Sequence, residues 1–369
     1  MGNYITKNHF KFHCVVGKGG FGKVWKVESK KFKTLYAMKE MSKVKIVNKK
    51  SVNSVMNERK LLSQLKHPFL INMSYAFSDY ENLYLVTDLV TSGDLRYHLS
   101  KRKKFTEPET KFFIACILIG LEYMHNNGVI HRDIKPENLL LDENGYIHIT
   151  DMGISRMWSP DNAHDTSGTP GYMAPEVMCR QNHGVAVDYF ALGIVCYEFM
   201  FGKRPYLGKS RKEIRDQIFQ QQIQLKKSDI PDGWSMEAAD FINKCLQRKP
   251  ANRLGLNGPN EVKQHVWLRD VEWQTIIEMK YNPTFLPQPR PPLNKDQVDK
   301  DIPPDQQEEA QMLLRRNSIQ NLFNGYDFDI EQLRHQIQQD KRRQEIEDEN
   351  QKKRLLTNAA VNTTQGGND

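Results

Sequence analysis

The chain has 369 residues, 38% of them apolar, and a formal net charge of +8; this suits two or three domains, or one bilobal domain with extensions, and a sizeable core. No apolar run approaches the roughly 20 residues that span a bilayer, and the longest, FFIACILIG, reads as a buried helix. Lys and Arg are spread along the chain without the basic and aromatic pattern of a nucleic-acid module, so no nucleic-acid partner is expected and an anionic membrane or phosphate ligand fits the charge at least as well.

In chain order, MGNYITK fits M-G-x-x-x-[ST], the N-myristoylation pattern, with Gly2 as acceptor. One myristoyl chain binds membranes only marginally, so Lys7, Lys11 and the net charge would have to assist. The segment shows no signal-peptide apolar region. Residues 10 to about 90 read as alternating strands around one main helix, SVNSVMNERKLLSQL, where Val55, Leu62 and Leu65 fall at helical spacing. Residues 106 to 270 are mostly helical, EPETKFFIACILIGLEYMH most clearly, interrupted by short strands at GVIHRD, NLLLD and YIHITD. From 281 the Pro-rich YNPTFLPQPRPPL must be extended. DQQEEAQMLLRR follows as a short helix, then a charged helix over 331–356 and an expected disordered end. Cys14, Cys116, Cys179, Cys196 and Cys245 form no CxxC pair, which points to reduced thiols, a cytosolic protein and no metal–thiolate site.

Four stretches carry chemistry. GKGGFGKV, Gly17 to Val24, lies between two strands, where glycines let backbone amides approach phosphate. A dinucleotide fingerprint would need a helix to follow. In YAMK, Lys39 sits on the next strand beside apolar Ala37 and Met38, in a partly buried place that wants an anion. In HRDIKPENLLLD, Asp133, Lys135 and Asn138 lie close together: a carboxylate to accept a hydroxyl proton, a cation for a transferring phosphoryl group, and an amide oxygen for a metal. Asp151 of DMG offers a second metal oxygen, and Mg²⁺ favours few protein oxygens plus phosphate oxygens.

The order Gly-rich loop, strand Lys, HRDxKxxN, DxG, APE resembles the eukaryotic protein kinase signature over residues 10 to about 270. IKPEN resembles the Ser/Thr kinases; HPFL, NLYLV, GDLRYHL and QHVWL resemble the AGC group, and GDLRYHL with the MGN start its YANK branch. The resemblance implies an α+β, bilobal kinase fold: a small β-rich N-lobe (about 10–90), a larger α-helical C-lobe (about 91–268), and a tail (269–330) wrapping back to the N-lobe. An acylated segment would precede it (1–9) and a charged helix and disordered end follow (331–369). It implies transfer of the ATP γ-phosphate to protein Ser/Thr hydroxyls with Mg²⁺ or Mn²⁺, by a monomer in the cytoplasm, partly at membranes; the alternative is a lipid-anchored pseudokinase scaffold.

Residue by residue, the resemblance places Gly17, Lys18, Gly19, Gly20, Phe21 and Gly22 over the phosphates. Val24, Ala37 and Leu140 would enclose the adenine, with Thr87, Asp88, Val90 and Asp94 along its edge. Lys39 pairs with Glu58; Asp133 is the base, Lys135 the γ-phosphate contact, and Asn138 and Asp151 the metal ligands. Asp94, Glu137 and Glu198 match positions that read basic residues before the target, with Thr169 on the substrate side. Leu62, Met73, His131 and Met152 would stack between the lobes, Glu176 would pair with Arg253, and Asp188 would brace the catalytic loop. Departures are Met152 for the usual Phe of DFG, Gly171 for the usual Glu of PEY, and DYFALG in place of tryptophans. Asp165 stands at the usual activation-loop phosphothreonine, facing Arg132, with Thr166 and Ser167 beside it. FNGYDF resembles the F-x-x-F-[ST]-[FY] hydrophobic motif of the group, with Phe323 and Tyr326 as anchors and Asp327 at the phosphate position; Ser318 of RRNSI looks like a phosphorylation site.

Overall fold

The structure, a computed structural model, describes residues 5–293, 304–343 and 345. Gly2 and the chain after 345 therefore lie outside the described residues, as does most of the helix expected beyond 343.

The upper lobe is built on five antiparallel strands: β1 (Phe10–Lys18), β2 (Gly22–Ser29), β3 (Leu35–Ser42), β4 (Met73–Ser78) and β5 (Asn82–Asp88). Between β3 and β4 run α1 (Lys43–Asn48), absent from the sequence reading, and the expected α2 (Val52–Gln64). Ser42 makes α1 by capping it, its hydroxyl accepting from the Lys45 amide. Val55, Glu58, Leu61 and Leu62 form the buried face of α2, so helical spacing carries a carboxylate inward with the apolar residues.

The lower lobe is helical. α3 (Leu95–Arg102) is capped by Asp94. α4 (Glu107–Asn126) starts with a Thr106/Glu109 capping box and is apolar and buried all round over residues 112–121, as the middle of a helix at the centre of a domain must be. α5 (Pro175–Met178), α6 (Ala186–Phe201), α7 (Arg211–Gln220) and α8 (Met236–Cys245) follow. Between α4 and α5 run four short strands: β6 (Val129–Ile130), β7 (Leu139–Leu141), β8 (Ile147–Ile149) and β9 (Arg156–Met157), with β7 paired to β8 and β6 to β9. Among the described residues no helix is long and apolar enough to cross a membrane.

Two short helices, Pro259–Lys263 and Trp273–Ile277, lead to an irregular stretch through residue 293, and the tail has a further helix, Pro304–Leu314, and a shorter one, Asn317–Asn321. It then adds a strand the sequence reading did not contain. β10 (Phe328–Asp329) pairs antiparallel with β4, Phe328 opposite Ala76 and Asp329 opposite Tyr75. The sheet order is β1-β2-β3-β5-β4-β10, so the chain's own tail covers the β4 edge.

Candidate active site

The glycine turn closes on itself, the Gly19 amide donating to the Gly22 carbonyl at 2.8 Å. A Cβ on Gly22 would overlap the Glu40 carbonyl, so this glycine is demanded by the close approach of β2 to β3. Lys49 Nζ donates to the Gly20 carbonyl at 2.7 Å and lies 5.5 Å from the Phe21 ring centroid, which ties the loop tip to the end of α1. Val24 lies opposite Lys39, and Ala37 opposite Thr87. Cross-strand partners and alternate residues share a face, so all four look to the same side of the sheet. Asp88 is fixed by Asn72, whose amide and side-chain nitrogen both reach its carboxylate. The tail crosses this edge: Arg290 N donates to the Thr91 carbonyl and Leu293 N to the Val15 carbonyl, each at 3.0 Å. Val90 and Leu140 are half-buried beside it.

Lys39 Nζ sits 3.0 and 3.1 Å from the two oxygens of Glu58. Burial alone would lower the Lys39 pKa, but the charges of Glu58 and Asp151 outweigh it and hold the amine above its ordinary value. For Asp151, burial pushes upward, and the Lys39 charge with the Gly153 amide reverses it, so its carboxyl stays ionised below the usual range. Leu62, Met73, His131 and Met152 are all buried between the lobes. Met152, a flexible side chain, is only 1% exposed there.

Three consecutive residues of α2 reach three separate segments. Asn57 Nδ2 donates to the Ser155 carbonyl at 2.8 Å, Glu58 takes Lys39, and Arg59 Nε donates to the Tyr326 carbonyl at 2.8 Å. The sequence reading named only the middle one.

Asp133 is held by four donors. The Thr169 hydroxyl and amide reach Oδ1 at 2.7 and 3.1 Å; Lys135 Nζ and Asn138 Nδ2 reach Oδ2 at 2.6 and 3.0 Å. Lys135 also reaches Thr169 Oγ1 at 2.8 Å. The loop is fixed from beneath by Asp188, which accepts from the amides of His131 and Arg132 at 2.9 and 2.7 Å and from His125 Nε2 at 2.8 Å. Arg132 (φ 68°) and Asp151 (φ 65°) occupy the left-handed region that non-glycine residues avoid, and this bracing sustains the strain beside the site.

A divalent cation with phosphate fits the residues present. Asn138 spends its amide nitrogen on Asp133, leaving its oxygen without a protein partner among the described residues, and Asp151 supplies a second hard oxygen. Among the described residues no three His, Cys, Asp or Glu side chains converge to hold a metal unaided.

On the acceptor side the acidic residues are already engaged. Arg96 Nε lies 2.8 Å from Glu137, and Nη1 and Nη2 lie 2.8 and 3.1 Å from the oxygens of Glu198. Tyr172 Oη also joins Glu198, at 2.5 Å. Asp94 caps α3 through the Tyr97 amide and pairs with Arg290 at 3.1 Å. The three carboxylates expected to receive a basic substrate are thus occupied by the chain's own arginines.

Arg132, buried, lies 3.3 Å from the carboxylate of half-exposed Asp165 and donates to the Ile154 carbonyl at 2.8 Å. Thr166 accepts from Arg211 through its backbone carbonyl. Glu176 and Arg253 form a fully buried pair at 2.6 and 2.9 Å. In the tail, Phe323 and Tyr326 are buried in the main core, and Ser318 is exposed. Asp327 follows Tyr326 at the surface. Its carboxylate is exposed and forms no ion pair with any described residue, and Arg59 takes its backbone carbonyl instead.

A family model described as protein kinase domain matches residues 10–268. The chain is 38% identical over 289 residues to a probable serine/threonine-protein kinase of Dictyostelium discoideum, covering 78% of this chain and 62% of that one. It is 38% identical to G protein-coupled receptor kinase 2 of Caenorhabditis elegans (79% and 42% covered) and 35% identical to human ribosomal protein S6 kinase alpha-1 (87% and 44%). The chain spans less than two thirds of the length of each of these relatives. With a matched catalytic core and a sheet-plus-helix architecture to suit it, the chain belongs to the protein kinase family, in the AGC group of its serine/threonine branch.

Proposed function

We propose that the protein transfers the γ-phosphate of ATP to serine and threonine hydroxyls of proteins, with Mg²⁺ as the divalent cation. The observation that carries this is Asp133, gripped by Lys135, Asn138 and Thr169, across from an intact Lys39–Glu58 pair. A divalent cation held there would supply positive charge to the phosphates. Asn138 and Asp151 would hold it, and Lys39, kept charged by Glu58 and Asp151, would hold the α- and β-phosphates. The Thr169 hydroxyl already donates to Asp133 as an incoming hydroxyl would, so the carboxylate is poised to take the acceptor's proton. Lys135 stands beside it to meet charge on the moving phosphoryl group. The reading of a catalytically dead scaffold gains no support from a site with every one of these residues present.

The test is transfer of labelled γ-phosphate to a protein acceptor with Mg²⁺. Lys39→Met and Asp151→Asn should each lower turnover by about a hundredfold or more, with the circular dichroism of the wild type retained. Near-normal turnover in either variant sinks the assignment. We also propose that Gly2 is myristoylated and, with nearby lysines, places a monomeric, cytoplasmic protein partly at membranes. Intact-mass analysis of protein from its native cell tests the acylation, and an unmodified N-terminus rejects it.

A further inference from the structure

Among the described residues, Arg96 is the only side chain of the acceptor surface that pairs with two of its acidic groups. It spans Glu137, two residues beyond Lys135 on the loop that carries Asp133, and Glu198 near the end of α6, with a third contact to the Tyr172 hydroxyl. Tyr172 lies three residues beyond Thr169, so this cluster abuts the segment that would receive a peptide. The Glu198 side chain is 5% exposed, that of Glu137 44%. A fork of guanidinium nitrogens against two carboxylates is the geometry an arginine from a substrate would adopt. Two further features have the same sense. Arg204 lies where a side chain on Gly171 would be, since a Cβ there would overlap its guanidinium, and Arg204 also covers the Tyr172 ring at 5.6 Å. The remaining acid of the surface, Asp94, is paired with Arg290. Three carboxylates are thus matched by two of the chain's own arginines, Arg96 and Arg290.

We propose that Arg96 is a specificity-determining residue: it occupies the Glu137/Glu198 acid pair from within, so the kinase does not select basic residues before the target serine or threonine. This rests on the kinase reading above and names the substrate class of the same site, peptides neutral or acidic on that side. A basic peptide must displace a bidentate pair to a buried carboxylate and gains only an equivalent pair in return.

The experiment compares kcat and KM for two serine peptides, one with arginines and one with alanines in the three positions before the serine. Wild-type enzyme should favour the arginine peptide by less than about threefold. Arg96→Ala should raise that ratio about tenfold or more through KM, the discrimination a desolvated charge pair supplies. Adding Glu137→Gln to Arg96→Ala should lower the ratio again, whereas Glu137→Gln alone should leave it unchanged. A wild-type preference of about tenfold for arginine, which one pair can supply, overturns the proposal, as does an unchanged ratio in a folded Arg96→Ala enzyme. Should Arg96→Ala fail to fold, the wild-type ratio and its response to Glu137→Gln decide: flat in both supports the proposal, high and sensitive overturns it. If neither peptide nor any protein is phosphorylated, the kinase reading fails instead.

Discussion

Replacing Phe323 by alanine probes how the tail governs the catalytic centre. Phe323 is 4% exposed and Tyr326 1%. Both belong to the buried cluster that includes Val55, Leu61 and Leu62 of α2, the helix that holds Glu58. Lys43 Nζ lies 5.5 Å from the Phe323 ring centroid, and the same amine takes Gln320 at 2.8 Å. Truncating a packed Phe to Ala costs about 3–5 kcal/mol. At about 1.4 kcal/mol per decade, even the lower figure shifts the docked-to-undocked ratio of the tail by about a hundredfold. The exposed Asp327 carboxylate has no such stake: Asp327→Asn removes an interaction worth about 0–1 kcal/mol, under about fivefold. The assay is steady-state peptide phosphorylation by phosphatase-treated enzyme. Phe323→Ala should lower kcat/KM by about tenfold or more, consistent with that docking loss, and Tyr326→Ala or truncation after Gln320 should do the same. Adding a peptide of residues 318–330 should restore part of the truncated enzyme's rate. An Asp327→Asn defect larger than that of Phe323→Ala would refute the reasoning, because charge rather than burial would then hold the tail.

Tyr326 carries a buried hydroxyl with no hydrogen-bond partner among the described residues, so Tyr326→Phe should keep full activity and raise tail stability by up to about 1–3 kcal/mol; a drop in melting temperature would count against this. Arg253→Ala strands Glu176 in the interior, at a cost of about 3–5 kcal/mol, and should lower Tm by on the order of 10 °C. Burial would raise the Asp188 pKa, but His125, His131 and the loop amides reverse this and hold it below the unfolded value of about 3.9. Its stabilisation is therefore complete above that value and lost as pH falls through the lower folded value, so urea midpoints should fall between pH 5 and 3, and less steeply in Asp188→Asn. Asp165 already supplies a carboxylate to Arg132, so phosphatase treatment should leave most activity intact, and Asp165→Asn should lower it by up to about fivefold; complete loss on dephosphorylation contradicts this.

What could be read from the sequence follows from how locally each feature is encoded. Asp133, Lys135 and Asn138 sit within six positions of one loop, so their order along the chain nearly fixes their meeting. Lys39 and Glu58 are further apart, but a strand period on one side and a helical period on the other point both inward. The β10 pairing left no such trace, since two residues have no period to read. Arg96 carried no sequence signal because its partners lie 41 and 102 positions away. At Asp327 the motif marked only the phosphate position, whereas Arg59 engages the main chain, which any residue would present.

That last difference changes how α2 is held. Consecutive helix residues point about 100° apart, so Asn57, Glu58 and Arg59 face three directions. They meet the activation segment at Ser155, the catalytic Lys39, and the tail carbonyl of Tyr326. Any rotation of α2 that withdraws Glu58 from Lys39 must also withdraw Asn57 from Ser155 or Arg59 from the tail. The tail partner is backbone, and its position is set by the burial of Phe323 and Tyr326 and by the two-residue pairing of β10 with β4. The orientation of the catalytic ion pair is therefore coupled to aromatic burial on the outer side of the helix, and a negative charge at 327 adds to that coupling only through its field on Arg59 and Lys43, without an ion pair among the described residues.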